Sequence, residues 1–240
     1  MMKMRFVCTN SSSGKYSDYS ETSSTVKTIV SGMTSVANTL RQRMKREEDV
    51  SSSLSSPSSL KLRNGNPAMT VKMLENRIAD EFRLKEYLWT GDIDVDLFSL
   101  KCVFTDPTLS FTGLETFRDN LESLQPSLRR IAPEGKRRVE LRECRKDEDS
   151  DDVVVAKWRM VGNLQLPWRP KIDIQGETRF QFRREIVDDI EEEEEERERK
   201  RGEEEENETC LRVVSYRETW SETASEALWQ LVTPFAHEKE

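Results

Sequence analysis

Thr112-Gly-Leu-Glu-Thr-Phe-Arg-Asp-Asn-Leu-Glu-Ser-Leu-Gln-Pro-Ser-Leu128 and, just past Pro133, Arg137-Arg-Val-Glu-Leu-Arg-Glu-Cys-Arg145 lie almost end to end and obey different periods. In the first, Leu114, Phe117, Leu121, Leu124 and Leu128 recur at alternating steps of three and four, which is one face of a helix. Thr112 and Glu115 in front of it read as a capping box, and Pro126 is expected to break or kink its end. In the second, Val139 and Leu141 alternate with charged residues, the period of a strand. The switch from helical to alternating pattern divides the chain into helices first and strands afterwards. The class is α+β, with helices packed on one face of a curved antiparallel sheet.

Upstream, Asn66-Pro67 reads as a helix start, and Val71, Leu74, Ile78 and Phe82 repeat at helical spacing. With Gly91 as its C-cap, this predicts a helix over 68–89. Asp92-Ile-Asp-Val-Asp96 has the spacing of a calcium loop. Leu97 and Val103 stand where such a loop needs Gly and Glu, so a short helix or turn is expected instead. Cys102-Val-Phe104 predicts a short strand stopped at Asp106-Pro107. Downstream, Arg137–Arg145, Val153–Val161, Ile172–Phe182 and Leu211–Trp220 read as a meander, with a turn over Asp147–Asp152. Ala224, Leu228 and Leu231 make a closing helical segment, ended by Pro234.

Around this body the composition shifts twice. Residues 1–68 hold 16 Ser and 6 Thr and no Trp, and predict a leader outside the fold. Its basic, acid-poor start carries Val26, Ile29, Val30, Met33, Val36, Leu40 and Met44 at helical spacing. This is the pattern of an organelle transit peptide, with a tail of the same composition as the alternative. Residues 51–60 form a Ser-rich linker. Residues 188–208 carry 14 acidic and 4 basic side chains, a net −10 within a total of −8. They interrupt what should be a hairpin and read as a hydrated loop insertion; a docking segment for a basic partner is the alternative. The organisation is therefore a leader at 1–68, one domain at 69–235 interrupted by 188–208, and a tail at 236–240.

Several chemistries are excluded or disfavoured. His237 is the single histidine and sits in the tail, so three-His zinc sites and His-based triads have no basis. Cys8, Cys102, Cys144 and Cys210 lack metal or redox spacing, and no metal or other cofactor is expected. The core segment shows no concentrated basic surface, so nucleic acid is not an expected partner. No stretch approaches 18 consecutive apolar residues, so no membrane span is expected.

The residues Phe98-Ser-Leu-Lys-Cys-Val-Phe-Thr-Asp-Pro107, Phe111-Thr-Gly-Leu114, Leu166-Pro-Trp168, Gly176-Glu-Thr-Arg-Phe180 and Tyr216-Arg-Glu-Thr-Trp220, in that order, resemble the nuclear transport factor 2-like superfamily, also called SnoaL-like or ketosteroid-isomerase-like. Within it they are similar to an uncharacterised family of plant, algal and cyanobacterial proteins. The resemblance spans roughly 74–235 apart from the insertion. It implies a cone-shaped fold with a pocket at its mouth, and a plastid origin; mitochondrion and cytoplasm are the alternative locations. It implies no particular reaction.

Such a pocket can host acid–base chemistry without histidine: an Asp base with a Tyr and a protonated Asp suffices in ketosteroid isomerase. The catalytic candidates are Asp106, Tyr87 and Glu177, with Tyr216 and Asp173 beside them. The candidates for pocket lining are Tyr87, Trp158, Trp168, Arg179 and Trp220. Each has a plainer reading. Asp106 before Pro107 is a turn residue, the tryptophans are core, and Asp173, Glu177 and Arg179 face solvent. Two functions stay open. One is a non-catalytic module binding a small apolar ligand or a partner protein. The other is a small-molecule isomerase or cyclase using Asp/Tyr chemistry. Assembly as a homodimer through the sheet is a third expectation.

Overall fold

A computed structural model describes residues 17–24, 27, 69–186 and 209–234. The helical pattern around Leu74, Ile78 and Phe82 forms α1 (Val71–Arg83). Its N-cap is Thr70, whose Oγ1 accepts from the Met73 N–H at 3.2 Å; Asn66-Pro67 lies outside the described residues. The single helix expected over 68–89 is two. Glu86 takes a left-handed conformation, φ 48°, and separates α1 from the one-turn α2 (Tyr87–Thr90). Gly91, at φ +66°, caps α2 as expected, its N–H donating to Tyr87 O at 2.7 Å.

Asp94 then starts a 3-10 turn, Val95–Leu97, and the chain enters β1 (Phe98–Thr105), longer than the expected strand. It turns at Asp106-Pro107 into β2 (Ser110–Thr112), which pairs with β1. The capping box expected at Thr112–Glu115 is absent. Thr112 is held in the β2 ladder, and Gly113, at φ +106°, is the N-cap, donating to Cys102 O at 2.9 Å. The helix behind it, α3 (Leu114–Ile131), runs through Pro126 without ending there. Its apolar residues, Leu114 and Phe117 near the start and Ile131 at the end, are anchored in the core on both sides of the proline. That packing offsets the missing N–H.

The alternating half of the chain gives β3 (Arg137–Lys146), β4 (Val153–Asn163), β5 (Lys171–Ile186) and β6 (Thr209–Trp220). The sheet order is β2-β1-β6-β5-β4-β3. β3 to β6 form the expected antiparallel meander. β5 and β6, which flank the acidic run, pair from Gly176↔Trp220 to Ile186↔Thr209. The expectation of a wholly antiparallel sheet is corrected at one seam: β1 runs parallel to β6. The helical connection through α3 to the far edge of the sheet brings β6 back beside β1 in the same direction. The last helix, α4 (Ala224–Val232), has a capping box at Thr223 and Glu226 and packs on β5.

Antiparallel partners share a face, so the register sorts the side chains. Ile174, Thr178 and Phe180 of β5 and Tyr216 and Glu218 of β6 point to the inner face, where Leu74, Ile78, Phe82 and Leu114 of the helices are buried. Gly176 exists for this packing: a Cβ there would lie 2.5 Å from Trp158 Cζ2 and 2.8 Å from the Thr219 carbonyl oxygen. Two residues of the expected leader also meet the sheet. Ser17 donates to Trp220 O at 2.6 Å and accepts from Trp220 N–H at 3.0 Å. Asp18 receives Arg217 Nη2 at 3.1 Å. The leader is thus not wholly outside the fold at Ser17–Thr22. The acidic run 188–208, the amphipathic stretch 26–44 apart from Lys27, and the tail 236–240 lie outside the described residues.

Candidate functional site

β1, β2, α2, α3 and β6 leave a cavity of about 160 Å³ between them. Its wall is largely aromatic. Phe104 of β1 stacks on Phe117 of α3 with centroids 3.9 Å apart, Phe111 of β2 lies 5.7 Å from Phe104, and Tyr216 lies 5.8 Å from it. Tyr87 meets Phe82 edge-on at 5.0 Å. Leu88, Leu109, Leu121 and Leu124 fill the rest of the apolar wall. The periodicities that built the elements also built this wall, because each aromatic occupies the inward position of its own element.

Into this apolar chamber projects a chain of polar groups. Tyr87 and Tyr216 share a hydrogen bond at 2.8 Å between their hydroxyls. The Tyr216 hydroxyl donates to Glu218 Oε2, and Trp220 Nε1 donates to Glu218 Oε1 at 2.6 Å. Glu218 is 6 % exposed. Burial pushes its carboxyl up to about 7, and the nearby Asp106 charge pushes the same way; the Tyr216 and Trp220 bonds oppose both. Burial, reinforced by the Glu218 charge, holds both tyrosines well above the usual phenol range. Asp106, also on the cavity wall, is raised by burial against three hydrogen bonds that favour its charged form. All three fall on Oδ1, from Thr108 N–H at 2.6 Å, Thr108 Oγ1 at 2.6 Å and Leu109 N–H at 2.8 Å. Asp106 therefore holds the β1–β2 turn as its sequence context predicts, and faces the cavity as well.

The chain's chemistry has two directions. With Glu218 ionised, Tyr87 donates to Tyr216 and Tyr216 to the carboxylate. With Glu218 protonated, its O–H must find an acceptor, and the Tyr216 oxygen is the one in reach. A proton taken up at Glu218 thus reverses the sense of the tyrosine pair.

The structure brings together Tyr87, Tyr216 and Asp106 of the sequence candidates. It separates the others. Glu177 and Arg179 are on the outer face, where Arg179 bonds Asp147 and lies 3.5 Å from Glu177. Asp173, on the same face, is bonded twice by Arg159, each at 2.7 Å. Trp158 is buried in the core, donating to Thr178 Oγ1 at 2.9 Å, and its edge reaches a separate polar groove beside Arg142 and Lys157. Trp168 is 42 % exposed and donates to Leu231 O at 2.7 Å, pinning the end of α4. Trp220 stands behind the site, orienting Glu218 without lining the cavity. The residue that sequence reasoning missed is Glu218. Its signal was present: an acid at the inward position of a strand, two residues from an aromatic on either side, in Tyr216-Arg-Glu-Thr-Trp220.

Among the described residues, no group of three or more His, Cys, Asp or Glu is placed to hold a metal, and no helix is long and apolar enough to cross a membrane. Residues 76–187 match the family model described as an uncharacterized conserved protein, DUF2358. That stretch, somewhat under half of the chain, is similar to this uncharacterised conserved family. The match runs from within α1 to the end of β5, so it takes in Tyr87 and Asp106 and stops short of Tyr216 and Glu218. No curated protein matches the chain.

Proposed function

We propose that the domain is a small-ligand-binding module of the nuclear transport factor 2-like type, working in a plastid. The observation that carries the binding reading is the aromatic chamber itself, closed by three strands and two helices around two carboxyl groups, Asp106 and Glu218. Apolar cavities of about 150 Å³ accept a benzene-sized molecule, which sets the scale of the ligand at about six to ten non-hydrogen atoms. The order of elements supports the fold reading: two helices, a short hairpin, a helix, then four long strands in an antiparallel meander. The basic, Ser-rich start of the sequence supports the location.

Native mass spectrometry of the purified chain should find a small molecule held with it. Leu124→Trp, at the exposed rim of α3, should fill the mouth and abolish that adduct while leaving the circular dichroism unchanged. An adduct that survives Leu124→Trp would place the ligand elsewhere. A fusion of residues 1–60 to a fluorescent protein should enter plastids; a diffuse cytosolic signal would overturn the location.

A second reading, an isomerase or cyclase, is favoured by one observation. Glu218 sits near the pH at which a group both takes and returns protons efficiently, and it is hydrogen-bonded to a tyrosine pair. On that reading the captured molecule should exchange a carbon-bound hydrogen with D2O, and Glu218→Gln should stop the exchange without releasing the molecule. Binding without exchange leaves the module non-catalytic.

A further inference from the structure

The cavity wall has a one-sided chemistry. It includes two carboxyl groups, Asp106 and Glu218, and five aromatic rings, yet no Lys, Arg or His among its lining residues. We propose that the chamber selects an organic cation, a protonated amine carried on a single ring or short apolar chain, with its N–H groups directed at Glu218 and Asp106. The proposal rests on the small-ligand reading above and names the chemical class of the ligand.

Three arguments carry it. An anionic ligand would meet two acids and no countercharge in a low-dielectric space, which costs several kcal/mol per unpaired ion. A neutral ligand supplies no countercharge, so a proton stays at Glu218 instead. An amine supplies the missing charge and up to three donors, and its apolar body suits a wall of ring faces, which attract cations.

The groups around Glu218 bear this out element by element. From α2 comes the neutral Tyr87, from the β1–β2 turn Asp106, and from β6 Tyr216 and Trp220. Two basic residues beside the lining in sequence are engaged elsewhere. Arg217 follows the opposite alternation of β6 and bonds Asp18, and Lys85 pairs with Glu81 on α1 at 3.0 Å. A cation docked at Glu218 favours its ionised form. Binding should therefore expel the proton that the empty site holds near neutrality.

The test is calorimetry on the full chain with benzylamine, benzyl alcohol and benzoate, three probes of one shape and different charge. Each is measured at pH 7 in two buffers of different ionisation enthalpy. Benzylamine should bind about ten-fold or more tighter than benzyl alcohol, the equivalent of about 1.4 kcal/mol, and benzoate should bind weakest. Only benzylamine should release a fraction of a proton, about one half at pH 7. Glu218→Gln should bring benzylamine down to the affinity of benzyl alcohol and abolish the proton release. Benzyl alcohol or benzoate binding as tightly as the amine would overturn the cation inference and leave the pocket reading standing. Failure of all three probes to bind at millimolar concentration would overturn both. The comparison of probes is made on the unaltered protein and decides the matter even where the variant does not fold.

Discussion

β5 and β6 present acids on both faces, and the two faces treat them oppositely. On the outer face Asp173 is bonded by both arms of Arg159, and that guanidinium holds its carboxyl below the usual range. On the inner face Glu218 has only neutral donors, Tyr216 and Trp220, and burial drives it up to about 7. The difference lies in the partners and the water. An exposed acid beside a cation is stabilised in its charged form, while a buried acid among phenols and indoles is left short of countercharge. One face is a lattice of ion pairs; the other is a site with an unmet charge.

The largest effect should come from altering the inner face sterically. Gly176→Ala places a methyl 2.5 Å from the Trp158 ring and against the Thr219 carbonyl, and neither neighbour is a flexible side-chain end. It should cost about 3 kcal/mol, read as a lower midpoint in urea unfolding. A midpoint within error of the unaltered chain would show the inner face to be loosely packed.

Next comes the pH dependence. Glu218 binds its proton more tightly folded than unfolded. Its contribution to stability is therefore complete below the unfolded value, near 4.5, and is lost as pH rises through about 7. Between pH 5 and 8 the protein should lose about 2–3 kcal/mol from this group. Glu218→Gln keeps the shape of the protonated acid, and should be more stable than the unaltered chain at pH 8 with a flatter profile. An unchanged profile in the variant would assign the pH dependence elsewhere.

Asp106→Ala removes the acceptor of three turn hydrogen bonds and should cost about 0.5–2 kcal/mol. It also removes the charge that raises Glu218, so the Glu218 midpoint should fall. A purely structural aspartate would change the melting temperature and leave that midpoint alone. The smallest effect belongs to the outer face. Arg159→Ala should cost only a few tenths of a kcal/mol, less in high salt, because the pair is about a third exposed.

The unequal sensitivity of the two faces also explains what could be read in the sequence. The α+β division, the β3–β6 meander and the pairing of strands across the acidic run follow from period changes around Pro133, Ile172–Phe182 and Leu211–Trp220, because burial on one face imposes alternation. The parallel β1–β6 seam leaves no such mark: direction in a sheet is set by a connection more than a hundred residues long. Glu86 broke the predicted first helix because an αL non-glycine residue has no composition signal. Ser17 joins the sheet by backbone bonds alone, which any side chain permits. In the site, Tyr87 and Asp106 were legible as polar groups at element ends. Glu177 and Arg179 could be read as lining a pocket or as facing solvent, since alternation tells which residues share a face and leaves open which face holds the cavity; they lie on the outer face. Glu218 was hidden by its type, an acid in a row of aromatics that pattern reading assigns to solvent.

The contrast between the two faces is tested most directly by titrating the side-chain carboxyl carbons of Glu218 and Asp173 together by NMR. Glu218 should titrate with a midpoint of about 7, and Asp173 below the ordinary aspartate value, in the same sample. A Glu218 midpoint of about 4.3, the value of an unperturbed glutamate, would mean that water or an uncounted cation reaches the carboxyl, and the reading of the chamber as a site short of positive charge would be wrong.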